Sequence, residues 1–157
     1  MNIRTIEEED YPAIIAMLKE FAIFQKVPGA VTNTPELMKQ EKAFFNCFVA
    51  VESNGEIAGM ATYFYAYYTW SGKSIYLDDL YVKEAYRGQN IGKRLLDKIF
   101  EVAKNENCKR VRWLVSEWNT SAIEFYKKCG ATIDKELYLC DFDEERIDNY
   151  LKQLNSK

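Results

Sequence analysis

The chain has 157 residues, of which 48% are hydrophobic, so it is long enough to bury a core as one domain. Its formal net charge of −3 does not suggest a nucleic-acid partner, and neither a signal peptide nor a membrane span is expected. The absence of histidine excludes a histidine general base and argues against a zinc site. We therefore expect a cytoplasmic, metal-free protein whose four cysteines are reduced and mostly buried.

The first half of the chain is predicted to contain two helices and a hairpin. Asp10 is a suitable N-cap for a helix that ends near Phe24, and Thr34 before Pro35 is typical of a second helix start. Asn54 and Gly55, between two apolar runs, predict a hairpin with a type I′ turn. The strands expected in this half are Asn2–Ile6, Cys47–Glu52 and Ile57–Tyr68.

The second half alternates strands and helices. A long amphipathic helix is predicted from Ile91 onward, and Asn119 is a suitable cap for a short helix that Gly130 ends. The order predicts an α/β protein with a mixed sheet flanked by helices. The remaining elements expected here are strands at Ile75–Val82, Val111–Val115 and, once or twice, within Thr132–Phe142, and a final helix at Asp143–Leu154.

The turn between the Ile75–Val82 strand and the long helix has the features of a diphosphate site. Gly88 and Gly92 let the backbone approach phosphate oxygens, the helix N-terminus offers free N–H groups, and Arg87 adds a cationic donor. A Walker loop is excluded because only three residues separate the glycines and Arg94 replaces the required hydroxyl residue. A Rossmann fingerprint is excluded by the missing third glycine. An ordinary turn and helix cap remains the structural alternative.

Asp78 and Asp79 form an unusual pair within a predicted strand, because Asp is disfavoured in strands and neighbouring residues face opposite sides of a sheet. One explanation is a bulge that turns a carboxylate toward a site, where it could hold a cationic amine and help to deprotonate it. The alternative is a solvated edge or a pair with Lys or Arg.

Residues 119–130 predict a helix in which Ala122, Phe125 and Cys129 share the core face and Tyr126 lies on its flank. Tyr126 is interpreted either as ordinary amphipathic packing or as a phenol that protonates a leaving sulfur.

Several motifs in order resemble one family. They are Trp70-Ser71-Gly72-Lys73, Tyr76 to Val82, the Arg-x-x-Gly-x-Gly-like loop Arg87 to Gly92, Leu114 to Asn119, and Phe125 to Gly130. Together they resemble the diamine (spermidine/spermine) and thialysine N-acetyltransferase branch of the GNAT superfamily. Asn90 stands where the first motif glycine usually sits, and Asn tolerates the left-handed region better than most residues.

The resemblance implies a GNAT fold over residues 1–157, with a central mixed sheet of about six or seven strands. It implies an acetyl-CoA-dependent transferase that acts by direct attack in a ternary complex, and a homodimer. Tyr126 is the implied general acid and Asp78 the carboxylate that faces the amine. The implied coenzyme contacts are Leu80, Tyr81, Val82, Arg87, Gly88, Gln89, Asn90, Ile91, Gly92, Lys93, Asn119, Thr120, Ser121 and Ala122. The substrate-side candidates are Phe24, Gln25, Tyr68, Asp78, Arg112, Trp113 and Leu114.

The departures from the family concern the substrate. Phe24 and Gln25 replace a Tyr-Glu pair, Tyr68 replaces an acid, and Asp78 is shorter than the usual glutamate. Fewer carboxylates weaken the attraction for a polycation. A polyamine, a thialysine- or lysine-like amine, a peptide amine, and a non-catalytic coenzyme A-binding module therefore remain as alternatives.

Overall fold

The computed structural model describes residues 1–154 and divides the chain into two compact units, Met1–Leu114 and Val115–Lys157. In the first unit, five strands form one sheet in their sequence order, antiparallel except for the parallel pair β4–β5. This mixed sheet confirms the predicted class, with five strands in the described residues rather than six or seven. The strands are β1 (Asn2–Thr5), β2 (Asn46–Val51), β3 (Ile57–Tyr68), β4 (Gly72–Val82) and β5 (Val111–Arg112).

Helices cover both faces of this sheet. Met60 of β3 belongs to the buried cluster that contains Ile14 and Met17 of α1. Its neighbour Gly59 lies against α3, and adjacent strand residues face opposite sides. The helices of this unit are α1 (Tyr11–Phe24), α2 (Pro35–Gln40) and α3 (Ile91–Asn105).

Gly59 allows α3 to approach the sheet closely. A Cβ at this position would lie 3.1 Å from the Tyr81 carbonyl oxygen, 3.1 Å from Ile91 Cγ2 and 3.2 Å from Leu95 Cδ1. These distances are shorter than ordinary carbon contacts. Because Gly59 has no side chain, the start of α3 can pack directly against the end of β4. This packing fixes the two ends of the loop between them.

The helix starts were predicted correctly, but one cap works differently. Thr34 accepts a hydrogen bond from the Leu37 N–H at 3.1 Å, as expected of an N-cap. Asp10 precedes α1 without capping it. Its carboxylate instead accepts two bonds from Arg4, at 2.6 and 2.9 Å, and one from the Glu7 N–H at 2.8 Å. The charged partner Arg4 outcompetes the helix N–H groups for the carboxylate.

The hairpin between β2 and β3 is confirmed, whereas its predicted turn type is wrong. Gly55 has a φ of +85°, but Asn54 is not among the residues with positive φ that a type I′ turn requires at both positions. The Gly55 N–H bonds to the Glu52 carbonyl, and Glu52 N–H bonds to Glu56. Three residues therefore close the hairpin, with glycine in the left-handed position.

The second unit contains α4 (Thr120–Lys128) and α5 (Glu144–Leu154). Gly130 ends α4 as predicted, with φ +91° and paired bonds from Gly130 N–H to Lys127 and from Ala131 N–H to Tyr126. The strands predicted in Thr132–Phe142 are absent, because no described segment pairs with that backbone. Likewise, the predicted Val111–Val115 strand is shorter, since β4 pairs with it only as far as Arg112.

Within residues 1–154, no helix combines the length and apolar character needed to cross a membrane.

Candidate active site

β4 carries a bulge at its two consecutive acids. The pairing with β3 passes from Thr62–Asp79 directly to Tyr63–Leu77, so Asp78 has no partner in the register. Asp78 is exposed and Asp79 is half-buried. An extra residue in one strand redirects the neighbouring side chains, which explains how two acids are accommodated in an interior strand. The predicted bulge is confirmed.

Thr62 secures the bulge from β3. Its hydroxyl donates to Asp79 Oδ2 at 3.1 Å and accepts the Asp79 N–H at 3.0 Å. Burial raises the pKa of Asp79 to about 6, the charge of Asp78 adds to this, and the Thr62 hydrogen bond opposes it. Burial also raises the pKa of Asp78. Although Asp78 is exposed as a residue, protein atoms on one side desolvate its carboxyl.

The end of β4 has an open edge. β5 pairs only with Ile75 and Tyr76, so within the described residues no strand pairs with the later part of β4 on that side. Lys83 N–H bonds to Ala58 of β3, and main-chain groups alternate along a strand. The main-chain groups of Val82 and Leu80 therefore face the open edge. Arg87 already donates to the Val82 carbonyl, and an extended ligand can pair with the other groups.

The loop after β4 has the conformation that a diphosphate site requires. Asn90 has φ +61° and ψ +15°, so it adopts the left-handed conformation expected of the glycine it replaces. Gly88 has φ +77°, and a Cβ on it would meet no atom within 4 Å. Since the first bond of α3 runs from the Arg94 N–H to the Asn90 carbonyl, the earlier N–H groups emerge from the helix end. These donors and the open space in front of Gly88 fit a pyrophosphate.

Arg87 is folded back against α1. Its Nε donates to the Val82 carbonyl at 3.1 Å, and its guanidinium carbon lies 5.1 Å from the Phe24 ring centroid and 5.8 Å from that of Tyr81. The Tyr81 hydroxyl donates to Glu20 at 3.4 Å. Arg87 therefore joins the loop to the end of α1 and brings a coenzyme candidate beside a substrate candidate. Its contact with phosphate stays a prediction.

Two residues that support the site were missed by sequence reasoning. Thr62 holds the bulge, and Glu56 accepts bonds from Lys83 at 3.0 Å and from the Tyr86 hydroxyl at 2.8 Å. Glu56 thereby ties the start of the phosphate loop to the β2–β3 hairpin. No local signal marks either residue, because each role depends on strand register or on contacts distant in the sequence.

Two substrate-side candidates, Tyr68 and Arg112, are neighbours. The Arg112 guanidinium carbon lies 5.3 Å from the Tyr68 ring centroid, and that of Arg110 lies 5.7 Å from it. Arg112 is opposite Tyr76 in the β4–β5 register, and the Tyr76 ring stacks on Phe64 at 5.0 Å. Gln25 follows Phe24 as the C-cap of α1. Trp113 is half-buried and Leu114 exposed, directly after β5.

The candidates of the second unit lie on α4. Asn119 Oδ1 accepts the Ala122 N–H at 3.2 Å and the Ser121 hydroxyl at 3.1 Å, which confirms the predicted cap. Thr120 is exposed and starts the helix.

Tyr126, rather than Phe125, is the buried aromatic residue of α4. The prediction that Phe125 occupies the core is wrong, because the buried face is centred on Tyr126, one turn after the half-buried Ala122. Burial raises the pKa of Tyr126 to about 12, and Cys129 adds to the effect. The phenol is therefore neutral at physiological pH and has a proton to give.

All four cysteines are free thiols, but the prediction that they are mostly buried is wrong. Cys47 is buried on β2, Cys108 and Cys129 are half-buried, and Cys140 is exposed. Only Cys47 lies in a strand of the core. Burial raises the pKa of its thiol to about 12, which makes it a poor nucleophile. Among residues 1–154, no cluster of three or more acidic, Cys or His side chains could hold a metal ion.

A mixed sheet whose interior strand is bulged, open at one edge and followed by a glycine-containing loop and helix defines an acyl-coenzyme A-dependent transferase. The model of the Acetyltransferase (GNAT) family matches residues 3–131, and the chain belongs to this family. It is an acetyl-CoA-dependent N-acetyltransferase.

Curated relatives include acetyltransferases named for thialysine and for spermine/spermidine. The chain is 38% identical over 141 residues to the thialysine N-epsilon-acetyltransferase of Mus musculus, covering 83% of each chain. It is 24% identical over 152 residues to the spermine/spermidine N(1)-acetyltransferase of Bacillus subtilis, covering 94% of this chain and 95% of that one. A solved integron cassette protein of V. cholerae has a TM-score of 0.76 at 22% identity, with 96% and 97% coverage, which shows the shared fold.

Proposed function

We propose that this enzyme transfers an acetyl group from acetyl-CoA to a primary amine of a small thialysine- or polyamine-like substrate, with thialysine as the first candidate. The bulge of β4 carries the proposal, because it presents Asp78 on the strand whose open edge leads into the phosphate loop. A carboxylate at that point attracts a cationic amine. The identity to the thialysine acetyltransferase of Mus musculus, 38%, supports this choice of substrate.

The residues proposed to hold the coenzyme divide into three groups. Main-chain groups of Leu80–Val82 pair with the pantetheine arm at the open edge of β4. The loop from Arg87 to Lys93 binds the pyrophosphate, and residues 119–122 at the start of α4 add further contacts. When bound, acetyl-CoA supplies an acetyl group activated as a thioester. The residues 1–157 are proposed to act as one GNAT domain.

Asp78 is proposed to receive the amine. A lysine-like ammonium has a pKa near 10, so it must lose a proton before its nitrogen can attack. The Asp78 carboxylate stabilises the cation and passes the proton to water. Asp79, with a pKa of about 6, is a second carboxylate that can take up a proton beside it. The nitrogen lone pair then attacks the thioester carbonyl directly, and a backbone N–H of the β4 edge stabilises the negative oxygen. The attached nitrogen gives its second proton to water as the amide forms.

Tyr126 is proposed as the general acid. As the carbon–sulfur bond breaks, the sulfur takes the electron pair and the Tyr126 hydroxyl gives it a proton. A phenol with a pKa of about 12 is a weak acid, which disfavours this proton transfer. Burial of the thiolate raises the pKa of the thiol, which favours the transfer. Direct attack needs no acetylated cysteine, in keeping with the buried, high-pKa thiol of Cys47.

We also propose that the enzyme is a homodimer. In the Tyr63–Trp70 segment, Tyr67 is 77% exposed and Trp70 is fully exposed, at 101%. Exposed aromatic side chains that lie close together are typical of a surface that binds another protein chain. Light scattering after size exclusion tests this directly: twice the chain mass supports the dimer, and the mass of one chain contradicts it.

An amine panel tests the proposed reaction. Release of coenzyme A is measured with thialysine, lysine, spermidine and a lysine-containing peptide at a fixed acetyl-CoA concentration. The masses of the products are determined by mass spectrometry. Release with a small amine, together with one added acetyl group, is expected. Release only with the peptide would indicate a protein-modifying enzyme. Binding of acetyl-CoA without release from any amine would indicate a non-catalytic module.

A further inference from the structure

We infer that Arg112 binds the α-carboxylate of a diamino-acid substrate whose terminal amine lies at Asp78, so that the enzyme prefers amino acids to simple diamines. The inference rests on the proposed function, since it assigns the second end of the substrate at the same site. Arg112 lies on β5, next to the strand that carries the acidic pair.

The sheet places the two opposite charges beside Tyr76. Asp78 lies in the bulge two residues after Tyr76 on β4, and Arg112 of β5 is directly opposite Tyr76. The surroundings of Tyr76 agree with this placement. Burial, Asp78 and Tyr68 all raise the pKa of the Tyr76 phenol, whereas Arg112 lowers it. Asp78, Tyr68 and Arg112 therefore converge on the same tyrosine.

Tyr68 holds the guanidinium without neutralising it. The Arg112 guanidinium carbon lies 5.3 Å from the ring centroid, within the range of a cation–π contact. No carboxylate among residues 1–154 lies within ion-pair distance of Arg112, and its residue surface is half-exposed. A stacked, planar guanidinium keeps its outer N–H groups available for a carboxylate, which it can bind through two parallel hydrogen bonds.

The order of the two charges suits a lysine-like molecule. Asp78 lies two residues after Tyr76 on β4, and Arg112 is opposite Tyr76 on the neighbouring strand β5, so an acid and a cation stand at successive positions along the sheet. An ammonium at Asp78 and a carboxylate at Arg112 would therefore be satisfied together by thialysine, lysine or ornithine. Phe64, stacked on Tyr76 at 5.0 Å, adds an aromatic surface beside this path for the methylene or thioether chain.

The same arrangement disfavours a linear polyamine. A polyamine bound at Asp78 would bring a second ammonium toward Arg112. Like charges repel, and no carboxylate among the described residues forms an ion pair with this guanidinium. Arg112 therefore favours a substrate that presents a negative carboxylate at this position over one that presents a second positive ammonium.

Matched substrates test the inference. We compare kcat/KM for ornithine with putrescine, and for lysine with cadaverine, because each pair differs only in the carboxylate. The wild-type enzyme should prefer the amino acid of each pair. Arg112→Gln should reduce that preference about 10- to 100-fold, the range for a lost hydrogen bond to a charged group. Arg112→Lys, which keeps the charge without the planar fork, should retain part of the preference.

Arg110→Gln is the matched control, since Arg110 stacks on the same ring but lies two residues farther from Asp78. Its preference should stay within about threefold of wild type, well below the loss expected for a direct charged contact. Thermal melting of each variant confirms folding. An equal loss for both members of each pair in Arg112→Gln, or no loss, would overturn the inference alone. Failure of the wild-type enzyme to acetylate thialysine as well as all four of these amines would overturn the proposed function too.

Discussion

Asp78 and Asp79 are consecutive residues of β4, yet only Asp79 is paired with β3, through Thr62. The bulge gives the two carboxyls different environments: Asp78 is exposed, whereas Asp79 is half-buried and hydrogen-bonded. Neighbouring acids in different environments can take different roles in proton transfer. Here the exposed carboxylate is positioned to meet the amine, and its neighbour has a pKa raised to about 6.

The half-buried carboxyl of Asp79 should lower the free energy of unfolding of the protein as the pH rises. The pKa of Asp79 is about 6 in the folded chain against an ordinary 3.8, because of burial first and the charge of Asp78 second. The folded state therefore binds this proton more tightly than the unfolded state, and its stabilisation is lost as the pH rises through about 6. Asp79→Asn should raise the free energy of unfolding at high pH by about 1–3 kcal/mol, with a small difference under acidic conditions.

Urea denaturation above neutrality and near the ordinary pKa of Asp measures this difference. Asp78→Asn is the control, and its exposed position predicts a smaller dependence on pH. A gain for Asp79→Asn that is the same at both pH values, or a loss at high pH, would contradict the burial of this carboxyl.

Gly59→Ala should destabilise the fold. The new methyl would lie 3.1 Å from the Tyr81 carbonyl oxygen, and a backbone atom in a paired strand cannot move away easily. Overpacking of this kind costs about 1–3 kcal/mol. Gly92→Ala is the control, since its Cβ would meet Val82 Cγ2 at an ordinary 3.7 Å. Thermal melting should show a clear fall in Tm for the first variant and little change for the second; similar behaviour of both would refute the close approach.

Asn90 should be replaceable by glycine but not by alanine. Its φ of +61° places it in the left-handed region, where an ordinary L-residue costs about 1–2 kcal/mol. Asn90→Gly should match or exceed wild type in Tm and bind acetyl-CoA at least as well, whereas Asn90→Ala should lose about 1 kcal/mol. Thermal melting and calorimetric titration with coenzyme A measure both variants. Equal Tm values and equal affinities for the alanine and glycine variants would contradict the need for a left-handed residue at this position.

Tyr126→Phe should separate binding from turnover. The ring remains to fill its buried position, while the proton for the sulfur is lost. Removing a general acid lowers kcat by about 10²–10⁴-fold. The affinity for acetyl-CoA should remain close to wild type. Phe125→Leu, next to it on α4, is the control for packing. Full turnover by Tyr126→Phe would exclude Tyr126 as the acid.

The features that the sequence predicted correctly are encoded within a few residues. Thr34 and Asn119 cap their helices through side chains that bond to N–H groups three residues on. Asn90 adopts the left-handed conformation because the loop requires it and Asn permits it. The bulge was signalled locally too, since two consecutive acids conflict with an interior strand.

The features that could not be predicted depend on contacts between distant residues. The stacking of Arg87 on Phe24 joins residues far apart in sequence. The carboxylate of Asp10 was expected to cap α1, but it accepts two hydrogen bonds from Arg4 on β1 instead. A strand within Thr132–Phe142 required a pairing partner that an apolar pattern alone does not supply.

The most direct test of the account is the kinetic effect of removing the carboxylate of Asp78. Amine-dependent release of coenzyme A is measured for wild type, Asp78→Asn and Asp78→Glu, with acetyl-CoA affinity measured in parallel. Asp78→Asn should lose about 10²-fold or more in kcat/KM for the amine while binding acetyl-CoA normally, and Asp78→Glu should retain much of the activity. Wild-type kcat/KM in Asp78→Asn would contradict the assignment of the bulged carboxylate as the site of the amine.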